Sequence, residues 1–203
     1  DYTDLCDMVG DINRRDSIDF VIPLGDLTDT GTIKEYVWAR DYLARLVKPY
    51  VVLIGNHDFL GTGDEIYSKM FGNMDFSFIA AGVKFLCVNT NATEYDHIAD
   101  IPDFQFLEDE AIADSAIFNR TVVCMHARPY SDQFNNNVAK PFEYYVKNLP
   151  GILFCINGHD HNLQFDDLFG DGLMYYGVTC ASDRQYMIFN INKEGYRYEV
   201  IDY

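Results

Sequence analysis

Apolar residues along the chain recur at two spacings. Leu5, Met8, Val9 and Ile12, with Tyr2 before them, repeat at helical intervals, so residues 2–14 are expected to form a helix. "IDFVIPL" (18–24) is a largely apolar run of strand length that ends at Gly25. Thr32 and Glu35 have capping-box spacing, and Ile33, Val37, Leu43 and Val47 carry the following helix up to Pro49. "YVVLI" (50–54) is a second buried strand. Strand, helix and strand in succession imply a parallel sheet.

Further along the pattern changes. "DFSFI" (75–79) and "VKFLCV" (83–88) flank the short turn Ala80-Ala81-Gly82 and predict a hairpin. "FQFLEDEAIAD" (104–114) is helical in pattern. "TVVCM" (121–125) and "ILFCI" (152–156) are buried strands, separated by a polar insertion over 127–140. "LMYYGV", "YMIFNI" and "YRYEVI" then follow closely and predict an antiparallel meander. With no repeat, linker or low-complexity tract, the expectation is one α/β domain over 1–203. It would have two mixed β-sheets packed face to face and flanked by helices.

Four of the predicted strands end in unusual polar loops. They are Gly25-Asp26-Leu27-Thr28-Asp29, Gly55-Asn56-His57-Asp58, His126, and Asn157-Gly158-His159-Asp160-His161. In α/β sheets ligands sit beyond the carboxyl ends of strands. Four of the five histidines lie in these loops, and the fifth, His97, lies in "TEYDHIAD" and is expected at the surface. Carboxylate, amide oxygen and imidazole together suit a borderline divalent metal such as Mn, Fe, Zn or Co. Any one of these motifs alone is better read as turn, cap or structural histidine. Four strand ends carrying them together point to a site.

Charge and cysteine content narrow the partners. A formal net charge of -17 repels polyanions, so a nucleic-acid polymer is not an expected partner. No apolar run is long enough to span a bilayer, and no membrane partner is expected. The five cysteines are odd in number and include no CxxC, which favours reduced thiols and a cytoplasmic setting.

These motifs resemble those of the calcineurin-like metallophosphoesterases. "GDLTD" resembles the family's GDxxD element, "GNHD" its GNH(D/E), "MHARP" its single-histidine element and "GHDH" its GHxH. "FGNMDFSFIAAGVKFLCVNT" and "DFQFLEDEAI" are similar to the middle of the cyclic-nucleotide phosphodiesterase branch. The resemblance implies two divalent metal ions, Mn, Fe or Zn. It implies that Asp26 bridges them, that Asn56, His126 and His159 complete one site, and that His161 joins Asp26 on the other. It makes His57 the proton donor to the leaving oxygen and Asp29 the carboxylate paired with His57. Asp29 stands where purple acid phosphatases carry a tyrosine, so a tyrosine-bound ferric site is not implied. The family opens with a strand ending in Asp-x-His, and no such element precedes "GDLTD" here. The expectation is that this strand lies outside the present sequence. A real loss would leave one metal site deficient.

The insertion "RPYSDQFNNNVAK" (128–140) is expected to overhang the site, with Arg128 on a phosphate oxygen and Tyr130 or Phe134 stacked on a base. The expected activity is hydrolysis of a small phosphomonoester or phosphodiester by a metal-bound hydroxide. The alternative is a degenerate metal-binding module. A nuclease of the same fold is disfavoured by the charge. Substrate identity and oligomeric state are not legible.

Overall fold

The computed structural model describes residues 2–203, Tyr2 in its backbone only. Helix α1 spans Tyr2–Asn13, α2 Ile33–Leu43, α3 Gly63–Phe71, α4 Phe104–Ile112 and α5 Ala139–Lys147. Strands are β1 Phe76–Ala80, β2 Val83–Val88, β3 Arg120–Met125, β4 Ile152–Asn157, β5 Gln164–Asp166, β6 Tyr175–Gly177, β7 Gln185–Asn192 and β8 Gly195–Asp202. Among the described residues they form a six-stranded mixed sheet, ordered β1-β2-β3-β4-β6-β5, and a two-stranded sheet β7-β8. β2, β3, β4 and β6 run parallel, and β1 and β5 close the edges antiparallel.

Side-chain alternation sets the layers. On the large sheet, Leu86, Val88, Val123, Met125, Cys155 and Tyr175 face one way and meet Leu107 of α4 with Phe142 and Val146 of α5. Their neighbours Phe85, Cys87, Val122, Cys124, Phe154 and Tyr176 face the opposite side. There they meet Phe20, Ile22, Leu24, Leu53, Met187 and Phe189. The alternate residues of that second layer, Val21, Val52, Ile54, Tyr186 and Ile188, pack with Val9 and Ile12 of α1, Tyr36 and Leu43 of α2 and Tyr67 of α3. A two-residue period buried on both faces requires this order of helix, sheet, sheet, helix.

Several expectations are corrected. Segments 18–24 and 50–54 run side by side in parallel with one formal bridge, Val21 to Tyr50, and a short ladder of three backbone hydrogen bonds, from the N–H groups of Val21, Val51 and Leu53 to the carbonyls of Pro49, Val21 and Pro23. Pro23 has no N–H to give and serves only as acceptor, taking the Leu53 N–H at 3.0 Å. The helix expected to reach Val47 stops at Leu43, leaving Val47 exposed with its N–H on Asn13 Oδ1 at 2.9 Å. The meander does not form, because β6 joins the large sheet beside β4 while β7 and β8 pair separately. The second layer thus combines the antiparallel hairpin β7-β8 with the parallel segments 18–24 and 50–54, and the expected architecture of two sheets flanked by helices holds. All five cysteines are free. Among the described residues no helix is long and apolar enough to cross a membrane.

Candidate metal centre

Five loops converge at one end of the two layers. Three follow β3, β4 and segment 50–54, one follows segment 18–24, and the fifth is Asn89-Thr90-Asn91 beyond β2. Tight backbone approach brings them together. A Cβ on Gly55 would lie 2.2 Å from both the Asp26 N and Oδ1, and one on Gly25 would lie 2.5 Å from His126 Nδ1. Glycine is therefore required at both positions. Asp26, His159 and His161 adopt left-handed φ of 52°, 64° and 52°. Such backbone is uncommon for residues with a side chain and clusters at functional sites.

Asp58, the last residue of "GNHD", holds two of the loops. It is fully buried, and its carboxylate accepts the N–H groups of Gly55 (2.9 Å), Leu27 (3.2 Å) and Thr28 (2.9 Å) and the Thr28 hydroxyl (3.0 Å). Burial pushes its carboxyl up to about 6 even against these donors. Asn91 Nδ2 donates to the Ile54 carbonyl at 3.0 Å, and the Ala127 N–H donates to Thr90 Oγ1 at 3.1 Å.

At the point of convergence, Asp26, His126 and His159 each offer a ligand atom within 4.8 Å of the others. Asn56 Oδ1 lies between them, 3.1 Å from His126 Nε2 and 3.0 Å from His159 Nδ1. Asp26 Oδ2 is 3.4 Å from His126 Nε2. The outer nitrogens fix the tautomers. His126 Nδ1 is 2.6 Å from the Leu24 carbonyl, and His159 Nε2 is 2.6 Å from Asp132 Oδ1. Carbonyl and carboxylate only accept, so both outer nitrogens carry the proton. In the neutral rings, His126 Nε2 and His159 Nδ1 are then bare. They face an amide oxygen and a carboxylate oxygen. Four converging lone pairs repel unless a cation sits among them, and O and N donors of this kind fit a divalent metal.

The electrostatics agree. Burial pulls the His126 pKa down, but the Asp26 carboxylate and the Leu24 carbonyl outweigh it and hold the value above that of a free histidine. Burial raises the Asp26 carboxyl, and His126 brings it below the ordinary value. A proton is thus attracted to the position where a metal would replace it.

The remaining expected residues sit at the rim. His57 is exposed, and its N–H donates to Asp26 Oδ1 at 3.0 Å. Its Nδ1 meets Asp29 at 3.0 Å, but through the main-chain carbonyl and not the carboxylate expected for the pair. That carbonyl raises the His57 pKa. His161 is exposed and lies outside the three-residue group. Arg128, expected to be free for phosphate, is held by Asp160 Oδ2 at 2.9 Å and Asp166 Oδ2 at 3.4 Å. Phe134, expected to stack on a base, is buried against Phe142. Tyr130 remains exposed. His97 is exposed, as expected. Asp132, which no motif marks, enters the site from the insertion.

A family model described as calcineurin-like phosphoesterase matches residues 1–163. No curated protein is similar enough to the chain to count as a relative. Solved structures share its architecture at low identity. A dimetal phosphatase from Danio rerio is 15% identical, with TM-score 0.67, 87% of this chain covered and 77% of that one. GAP50, the anchor in the inner membrane complex of Plasmodium, is 12% identical, with TM-score 0.64 and 100% and 78% covered. The sulfate thiohydrolase SoxB of Thermus thermophilus is 14% identical, with TM-score 0.61, and the chain covers 42% of it.

Proposed function

Since the chain belongs to the calcineurin-like phosphoesterase family, we propose that it hydrolyses a small phosphomonoester or phosphodiester with two divalent ions. One observation carries this reading: ligand atoms of Asp26, His126 and His159 lie within 4.8 Å of one another, with Asn56 Oδ1 3.1 and 3.0 Å from the two ring nitrogens. In this reading those four hold one ion, and Asp26 with His161 hold the other. When bound, the ions neutralise the phosphoryl oxygens and acidify a water to supply the nucleophile.

The chain's own groups supply the rest. His57 stands in solvent at the rim with a raised pKa, fixed by the Asp29 carbonyl and by its N–H on Asp26. In this reading it delivers a proton through Nε2 to a leaving oxygen, a contribution of roughly 10²- to 10⁴-fold. Arg128 braces the 158–161 turn through Asp160 rather than binding phosphate. The rim thus presents carboxylates, Asp29 and Asp132 among them, which favours substrates of low negative charge over polyanions.

The second reading, a metal-binding module without turnover, is favoured by one observation. His161 stands exposed outside the ligand group. An activated aryl phosphodiester with added Mn²⁺ separates the two. Turnover is expected from the native chain. His57→Ala keeps Mn²⁺ but loses most turnover, and Asp26→Ala loses both. Unchanged turnover in His57→Ala ends the role given to that histidine, and Mn²⁺ binding without turnover in the native chain selects the module.

A further inference from the structure

Asp132 stands on the insertion between β3 and α5, and it reaches the ring of His159 from outside. Its Oδ1 is 2.6 Å from His159 Nε2, the nitrogen turned away from Asn56, Asp26 and His126. The segment that carries it is pinned on both sides. Asn136 accepts the Tyr130 N–H at 2.7 Å and donates to the Ser131 carbonyl at 2.8 Å. The Ala92 N–H donates to the Gln133 carbonyl at 3.0 Å, and Phe134 is buried among Phe142 and its neighbours. Asp132 is therefore a presented residue, not the tip of a free loop.

We propose that Asp132 is a positioning residue for His159, an inference that rests on the metal centre proposed above. The Asp132 side chain is 85% exposed, so the pair contributes little to stability. What it controls is the proton. With Nε2–H donated to Asp132, the Nδ1 lone pair faces Asn56 Oδ1 at 3.0 Å and the ligand group. Without this acceptor the free imidazole divides between two tautomers, and one of them points an N–H into the ligand group. The His159 backbone, at φ 64°, sets where the ring starts, and Asp132 sets how it is turned. Carboxylate partners of this kind typically change metal affinity about 10- to 100-fold.

Two measurements on the full chain test the proposal. The first is Mn²⁺ titration by calorimetry, and the second is the ¹⁵N tautomer signature of His159 in metal-free protein. Asp132→Ala is expected to weaken Mn²⁺ about 10- to 100-fold and to shift His159 from the Nε2–H form to a mixture, with thermal stability unchanged. Asp132→Asn keeps an acceptor oxygen and removes the charge. It should retain the Nε2–H form and recover part of the affinity, which separates ring orientation from attraction between charges. An Asp132→Ala protein with the native tautomer signature overturns the proposal, and so does one that binds Mn²⁺ like the native chain. A native chain that binds no Mn²⁺ overturns the metal reading instead, and the tautomer signature then decides the role of Asp132 by itself.

Discussion

The two halves of the candidate metal centre are built differently. His126 and His159 follow β3 and β4, which are paired along their length in the middle of the large sheet. Asp26, Asn56 and His57 follow segments 18–24 and 50–54, which share one bridge. A ladder fixes the position of a strand end by itself. Where the ladder is as short as the three backbone bonds between these segments, the loops must also hold one another. Here Asp58 collects three N–H groups and a hydroxyl, and Gly25 and Gly55 allow the backbones to touch. One half of the site rests on regular pairing and the other on a handful of individual polar contacts. Single substitutions in the second half should therefore damage the site out of proportion to their size.

Gly55→Ala gives the largest expected effect. The added methyl would lie 2.2 Å from the Asp26 backbone and carboxylate. Overpacking of this kind costs about 3 kcal/mol. Mn²⁺ binding, followed by calorimetry, should fall with it. Asp58→Ala comes next. It leaves three buried N–H groups without their acceptor, at about 2–3 kcal/mol in urea unfolding, and Mn²⁺ affinity should again drop. Val123→Ala, in the laddered half, removes buried methyls at about 2 kcal/mol yet should leave Mn²⁺ affinity at the native value. If it lowers affinity as Asp58→Ala does, the contrast between the halves is wrong.

The laddered half has its own weak point at Glu143 on α5, whose Oε2 accepts the Tyr175 hydroxyl while Oε1 is buried without a partner. Burial raises its carboxyl from 4.5 to about 7. Because the folded value lies above the unfolded one, its stabilisation is complete below about pH 4.5 and is lost as pH rises through about 7. After allowance for solvent screening the loss is about 1–2 kcal/mol. Glu143→Gln should therefore unfold at higher temperature than the native chain at pH 8.5 and show no such advantage at pH 5. The smallest effect is expected at the surface: His97→Ala should stay within about 0.5 kcal/mol of the native chain and keep full Mn²⁺ affinity.

Much of the site was legible because its residues follow apolar runs, and an apolar run ending in Asp, Asn or His marks where a strand stops and chemistry starts. The presence of two sheets flanked by helices was legible for a related reason, since apolar runs of strand length alternating with helical spacing are local properties. What was not legible depends on partners remote in sequence. Segments 18–24 and 50–54 have strand composition, but whether such a segment forms a ladder depends on its neighbours, and Pro23 removes one donor. "LMYYGV" carries no mark of which sheet it joins. Asp58 reads as the tail of "GNHD" until its three N–H donors are seen. Asp132 lies in a polar insertion where any aspartate is unremarked, and only the fold brings it to His159. Phe134 in the same insertion is buried against Phe142 of α5, a partner that nothing in its local sequence reveals.

The left-handed corners at Asp26, His159 and His161 have a consequence for how this chain can change. Each holds a side chain where glycine would sit more comfortably, at a penalty on the order of 1 kcal/mol. Replacement by glycine at these three places should relax the polypeptide while it removes the side chains proposed to hold metal. Selection for heat tolerance alone would then push these corners away from chemistry, and a library screened only for thermal survival should be enriched in glycine at positions 26, 159 and 161.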